Sequence, residues 1–244
     1  MRGRLDLRLV ALGLTASREK AQRLILAGAV RVNGQTAHKP SDTVDDAATV
    51  TVEAAEKFVS RGGHKLEAAL DAFAVPCSGC VCIDIGASTG GFTDCLLQRG
   101  AARVHAVDVG KGQLDWKLRN DPRVVIHDQL NARNLTAADI GENVDIITID
   151  ASFISLTKIL PAAVTLLKSG GILVTLIKPQ FEAGKKDVKK GGVVRDSAVH
   201  ERVKSEITTF ATTTLGLQPL GAIIESPLLG PAGNKEFLAA WRKP

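Results

Sequence analysis

Residues 81–94 read VCIDIGASTGGFTD. Val81, Ile83 and Ile85 make a short β-branched run of the kind a buried parallel strand uses. A turn carrying Gly86, Gly90 and Gly91 follows, and a helix is predicted from Thr93 onward. Strand, glycine turn and helix in this order open a nucleotide-binding α/β fold, whose ligands sit beyond the carboxyl ends of the strands. Glycine lets the backbone approach a ligand, and the helix N-terminus offers free N–H groups. The spacing is not the G-x-G-x-x-G of dinucleotide folds. Asp84, inside the strand, favours S-adenosylmethionine (AdoMet) over a pyrophosphate. A carboxylate attracts the methionine amine and repels a phosphate. The candidate cofactor contacts here are therefore Asp84, Gly86, Ala87, Ser88, Thr89, Gly90, Gly91 and Phe92.

Downstream, apolar runs predict strands at 103–107, 124–127, 144–149 and 172–177, separated mostly by helical stretches such as 156–167. That alternation predicts a parallel, doubly wound sheet with right-handed crossovers. Two more strands, at 220–225 and 236–241, are joined by a turn rich in Pro and Gly, which makes one of them antiparallel. The expected fold is a seven-stranded Rossmann-like sheet of the AdoMet methyltransferase kind. Residues 178–195 are rich in lysine and glycine and are expected to form a mobile basic loop. A helix capped by Ser197 should follow.

The strand ends carry the candidate chemistry. Asp108 ends the second strand, where an acid accepts hydrogen bonds from ribose hydroxyls. Asp128, followed by Gln129, ends the third, where the adenine would lie. Asp150, Lys178 and Glu225 end the fourth, fifth and sixth, at the mouth of one cleft, and Lys65 precedes the sheet. A charge at the edge of an apolar run is costly unless it is used or paired. Any one of them alone would read as a surface cap. Together, beside an AdoMet loop, they read as an active site.

The other end of the chain is different in character. Residues 1–40 hold eight Lys/Arg against Asp6 and Glu19, on a chain of 244 residues with net charge +5. A basic end on a near-neutral body points to a polyanion partner. Leu5, Leu9 and Leu12 share one helical face, and Ser17 is placed to cap a second helix with Ala21, Leu24 and Ile25 inward. Val30-Arg31-Val32 followed by Asn33-Gly34 is a hairpin signal, and 49–52 supplies another strand. No apolar run is long enough to span a membrane and no signal peptide opens the chain, so the expected location is cytoplasmic. Cys77, Cys80, Cys82 and Cys95 lack the second pair of a zinc site and read as reduced structural thiols.

Residues 4–44, RLDLRLVALGLTASREKAQRLILAGAVRVNGQTAHKPSDTV, resemble an S4 domain, a small RNA-binding module. The resemblance implies RNA contacts from Arg4, Arg8, Ser17, Arg18, Arg23, Arg31 and Asn33, dominated by salt-sensitive phosphate pairing. The expected organisation is an S4 domain at 1–56, a linker at 57–64 and a catalytic domain at 65–244. Further on, SRGGHKL, DIGASTGGFTD, Asp150-x-Ser-Phe-Ile-Ser-Leu, Lys178-Pro-Gln-Phe-Glu, Gly-Val-Val-Arg-Asp and Ser-Pro-x-x-Gly-x-x-Gly-Asn-x-Glu resemble the haemolysin A (TlyA) family over nearly the whole chain. Phe58 stands where better-studied members have tryptophan.

That resemblance implies an FtsJ-like, AdoMet-dependent methyltransferase acting on the 2′-hydroxyl of a cytidine in ribosomal RNA. Lys65, Asp150, Lys178 and Glu225 would form its Lys-Asp-Lys-Glu tetrad. Lys178 would be the base, Asp150 would orient it, and Lys65, fixed by Glu225, would hold the hydroxyl. No metal is required. Shorter members of the family are associated with large-subunit RNA, so a large-subunit cytidine is the expected substrate here and a ribosomal subunit the expected partner. A nicotinamide oxidoreductase fails on the loop spacing and leaves Lys178 without a role. A ribosome-binding factor without catalysis would keep the S4 module and make the tetrad dispensable. A membrane-active haemolysin, as the family name implies, would need a long amphipathic or apolar segment.

Overall fold

The computed structural model describes residues 2–53, 56–184, 186–189 and 191–244. It divides into two compact units, Met1–Lys57 and Phe58–Pro244.

In the first unit, β1 (Arg2–Arg4) leads into α1 (Leu5–Ala11) and α2 (Arg18–Leu26). These are followed by β2 (Val30–Val32), β3 (Gln35–Thr36), β4 (Thr43–Asp45) and β5 (Val50–Val52). The Asn33-Gly34 hairpin forms as expected: β2 pairs antiparallel with β3 and with β5, while β1 pairs with β4. Leu5, Leu9, Ala21, Ile25 and Val30 make the core. Leu12, read as inward, is 43% exposed because α1 ends before it.

The second unit begins earlier than the predicted linker allowed. Phe58 is buried in its core, and α3 (Gly62–Ala72) starts within the segment expected to be linker. Next come β6 (Val81–Ile85), α4 (Gly91–Gln98), β7 (Arg103–Asp108), α5 (Trp116–Arg119) and β8 (Val124–Asp128). The chain continues through α6 (Ala137–Ile140), β9 (Val144–Ile149), α7 (Leu156–Leu166) and β10 (Leu167–Ile177). It closes with α8 (Pro179–Glu182), α9 (Ser197–Thr209), β11 (Gln218–Pro219), β12 (Ile224–Glu225) and β13 (Phe237–Arg242). Asp196, not Ser197, caps α9 by accepting from the Ala198 N–H. Of the expected basic loop, Lys185 and Lys190 lie outside the described residues; Lys189 forms a bridge with Val193.

The sheet order is β11-β13-β10-β9-β6-β7-β8, with β12 also on β13. The sixth strand is thus broken in two, and an expected seven strands become eight. Strands β6 to β10 pair in parallel, whereas β13 is antiparallel to its neighbours. Alternate side chains go to opposite faces. Cys82, Ile146 and Val174 pack in the core that also contains α3 and α4 residues, while Ile83, Ile147 and Leu173 pack with α7 and α9. From β6 the chain builds outward to β7 and β8, then returns to lay β9 on its other side. The crevice between the ends of β6 and β9 is therefore the switch point, where ligands bind in such sheets. Among the described residues, no helix is long and apolar enough to cross a membrane.

Candidate active site

The turn after β6 is shaped by what faces it. Gly86 has φ +83°, and a Cβ there would stand 2.6 Å from the Asp150 carbonyl oxygen. Any larger residue would push the β6 and β9 ends apart. The Gly86 and Ala87 N–H groups both donate to the Val107 carbonyl, tying the turn to β7. The loop separates two cavities, of about 460 and 300 Å³, and Gly86, Ser88, Asp150 and Ser152 line both.

The larger cavity combines an acidic edge with apolar walls. Asp108 lies at its edge, with one carboxylate oxygen accepting from the Ser88 N–H (2.8 Å) and the other from the Gly110 N–H (2.7 Å). Val107, Val109, Leu130 and Ile154 supply apolar wall. Asp128 and Gln129 do not line it. The Asp128 carboxylate accepts from the Gly112 N–H (3.0 Å), and Gln129 turns outward at φ +60°. Leu130 and Asn131 reach the cavity in their place, because the chain turns at Gln129 before it passes the opening. Gln113 also lines it, and no sequence signal marked it.

Asp84 likewise is not in the cleft. Its side chain is fully buried, accepting from Thr93 Oγ1 of α4 (2.7 Å) and Thr148 Oγ1 of β9 (3.2 Å). Strand alternation turns it toward the α4 layer, and burial pushes its carboxyl up to about 7. Gly90 is outside both cavities, whereas Ala87, Thr89, Gly91 and Phe92 line the smaller one.

The smaller cavity collects the charges. Lys178 ends β10 in extended backbone (φ −114°, ψ 100°), as Pro179 dictates. Its side chain is 9% exposed, and Nζ lies 2.5 Å from Asp150 Oδ1. It also donates to Ser152 Oγ at 3.0 Å. Lys65, on α3, reaches Glu236, with Nζ 2.5 Å from Oε2. Glu236 has a fully buried side chain, and its other oxygen, Oε1, has no hydrogen-bond partner among the described residues.

Glu225 is not the acid that meets Lys65. It pairs opposite Phe237 on the β12–β13 ladder, is about half exposed, and bonds Lys235 at 3.0 Å. Phe237 packs with the α9 residues His200 and Lys204, so Glu225 shares that side of the sheet. Glu236 precedes an antiparallel strand, which brings the beginning of β13 to the edge where the parallel strands end. The signal was present in the sequence: Glu236 is the last residue of Ser-Pro-x-x-Gly-x-x-Gly-Asn-x-Glu. Phe153 was not foreseen either. It is 90% exposed at φ +65°, with its ring 5.0 Å from that of Phe181.

In the first unit, several expected RNA contacts have structural duties. Ser17 Oγ caps α2 by accepting from the Lys20 N–H, and Asn33 Oδ1 accepts from the Thr49 N–H. Arg4 and Arg18 both bond the fully buried Asp6, whose carboxyl is held far below its usual range, chiefly by Arg4. Arg8 bonds Asp46, Arg31 bonds Glu53, and Arg23 is exposed. Asp6 is the anchor that residue type alone did not mark.

Residues 58–243 match the FtsJ-like methyltransferase family model, and residues 3–50 match the S4 domain model. A 16S/23S rRNA (cytidine-2'-O)-methyltransferase TlyA from Mycobacterium tuberculosis is 50% identical over 238 residues, 97% of this chain and 88% of that one. Hemolysin A of Brachyspira hyodysenteriae is 44% identical over 237 residues, 97% and 98% of the two chains. A solved structure from Streptococcus thermophilus bearing a hemolysin designation superposes with a TM-score of 0.75 at 43% identity. It covers 99% of this chain and 88% of its own.

Proposed function

Because the chain belongs to the FtsJ-like methyltransferase family, among the TlyA and haemolysin A proteins, we propose that it methylates the ribose 2′-hydroxyl of a cytidine in ribosomal RNA. AdoMet, the methyl donor, supplies a methyl group on a positively charged sulfur. The larger cavity fits it: Asp108 for ribose hydroxyls, Val109 and Leu130 for the adenine ring, and Asp150 for the cationic end. The smaller cavity takes the target nucleotide.

A ribose hydroxyl is a poor nucleophile until its proton leaves. Lys178 would accept that proton as the hydroxyl oxygen takes the methyl group that bound AdoMet would supply, leaving the sulfur neutral. Asp150 stabilises the resulting ammonium. Lys65, held by Glu236, positions the hydroxyl oxygen. The remaining work is in-line alignment of oxygen, methyl and sulfur. The observation that carries this reading is the meeting of the Lys178–Asp150 and Lys65–Glu236 pairs in the cavity that shares Gly86 and Asp150 with the nucleoside site.

The S4 unit holds the RNA, with exposed Arg23 and the outer faces of Arg4, Arg8 and Arg18 facing phosphates. Phe153 offers an exposed ring on which a base can stack. The proposed substrate is a large-subunit cytidine; the 50% identical relative is named for both 16S and 23S RNA. Primer extension at low dNTP, on ribosomal RNA from cells with and without the protein, tests this. The expected result is a stop in large-subunit RNA that disappears with the protein. Unchanged stops in both RNAs would overturn the proposal, and a small-subunit stop would overturn the restriction.

A further inference from the structure

Lys178 has two partners in the cavity, and they do different things. Asp150 Oδ1 is close, at 2.5 Å, and forms an ion pair with the amine but no hydrogen bond among the described residues. It supplies charge without direction. The aligned hydrogen bond goes from Lys178 Nζ to Ser152 Oγ at 3.0 Å. Ser152 also lines both cavities, so it stands where donor and target must meet.

We infer that Ser152 is a positioning residue that aims the Lys178 amine at the nucleophilic hydroxyl, an inference that rests on Lys178 being the base. A neutral amine has two N–H bonds and one lone pair in tetrahedral directions. With one N–H fixed on the Ser152 oxygen, the other N–H and the lone pair share the two remaining directions, and the negative charge of Asp150 favours the N–H on its side, which leaves the lone pair to the cavity. When Lys178 gains the proton, all three N–H directions are used. Without the hydroxyl, rotation about the terminal C–N bond leaves the lone pair undirected while the charge of Asp150 is still satisfied. Ser152 is itself exposed, on the connection between β9 and α7, so removing one oxygen there spares the core.

The test uses the full-length protein, labelled AdoMet, and ribosomal subunits isolated from cells that lack the modification. Single-turnover rates and apparent affinities are compared for Ser152→Ala, Ser152→Thr and Lys178→Ala. Ser152→Ala should slow methyl transfer by roughly ten- to a hundredfold, the scale of a misdirected reacting group. Affinity for AdoMet and for the subunits should be unchanged. Ser152→Thr, which keeps the hydroxyl, should recover most of the rate. A normal rate for Ser152→Ala with a dead Lys178→Ala overturns the inference and leaves the base assignment standing. Failure of threonine to rescue, or loss of AdoMet affinity in the alanine variant, also overturns it. Activity in Lys178→Ala overturns the base assignment, and this inference with it.

Discussion

Lys65 Nζ stands 2.5 Å from Glu236 Oε2, across 171 residues of chain. The pair ties α3 to the start of the antiparallel strand, and both side chains are withdrawn from water. A buried pair of this kind is costly to break, because the surviving charge is left unpaired. Glu236→Gln should therefore lose most methyl transfer, while Glu225→Gln, at the exposed acid, should retain it. Single-turnover assays on the two variants check this. Equal loss in both would mean that the Glu225–Lys235 pair matters too. Gly230→Ala should mimic Glu236→Gln, since a Cβ at Gly230 would occupy the place of Glu236 Oε1.

Lys178→Ala should slow transfer by about a hundred- to ten-thousandfold, the usual worth of a general base. Lys178→Arg should fail almost as badly, because a guanidinium stays protonated. AdoMet binding, followed by equilibrium dialysis, should survive both changes. Near-normal turnover by the arginine variant at high pH would make Lys178 an electrostatic clamp and point to Lys65 as the proton acceptor.

Asp84 links stability to pH. Its carboxyl titrates near 7 in the fold against 3.8 ordinarily, because burial penalises the charged form. Between those values the folded chain holds a proton that the unfolded chain has released, so stability falls as pH rises through the window. The loss is at most about 4 kcal/mol. Urea midpoints at about pH 5 and about pH 8 should show the decline, and Asp84→Asn should flatten it. An undiminished decline in the variant would place the pH dependence elsewhere.

Removing residues 1–57 should leave AdoMet binding intact and weaken RNA binding, with a shallower dependence on salt, because fewer phosphates are neutralised. Filter binding across a salt series measures both. An unchanged slope would move the RNA contacts to the second unit.

Much of this protein was legible in its sequence because local periodicity and turn chemistry act over a few residues. The β-branched run at Val81–Ile85 and its glycine turn, the Asn33-Gly34 hairpin and the Ser17 cap all form where residue type demands. Lys178 and Asp150 were legible as strand-end charges, and Pro179 sets the extended backbone at Lys178. Asp108 reaches its cavity by the same logic.

What the sequence determined by itself was the order of elements, the two modules and the stock of reactive side chains. The tertiary structure decided which of those side chains meet. Glu225 and Glu236 both flank apolar runs, and only the antiparallel direction and pairing of β13 send one to α9 and the other to Lys65. Asp84 read as a cofactor contact until strand alternation and Thr93 of α4 drew it inside. Asp6 became an anchor because Arg4, Arg18 and Gln22 converge on it from separate elements. Each outcome depends on strand parity and on contacts between distant segments, which local residue patterns do not encode.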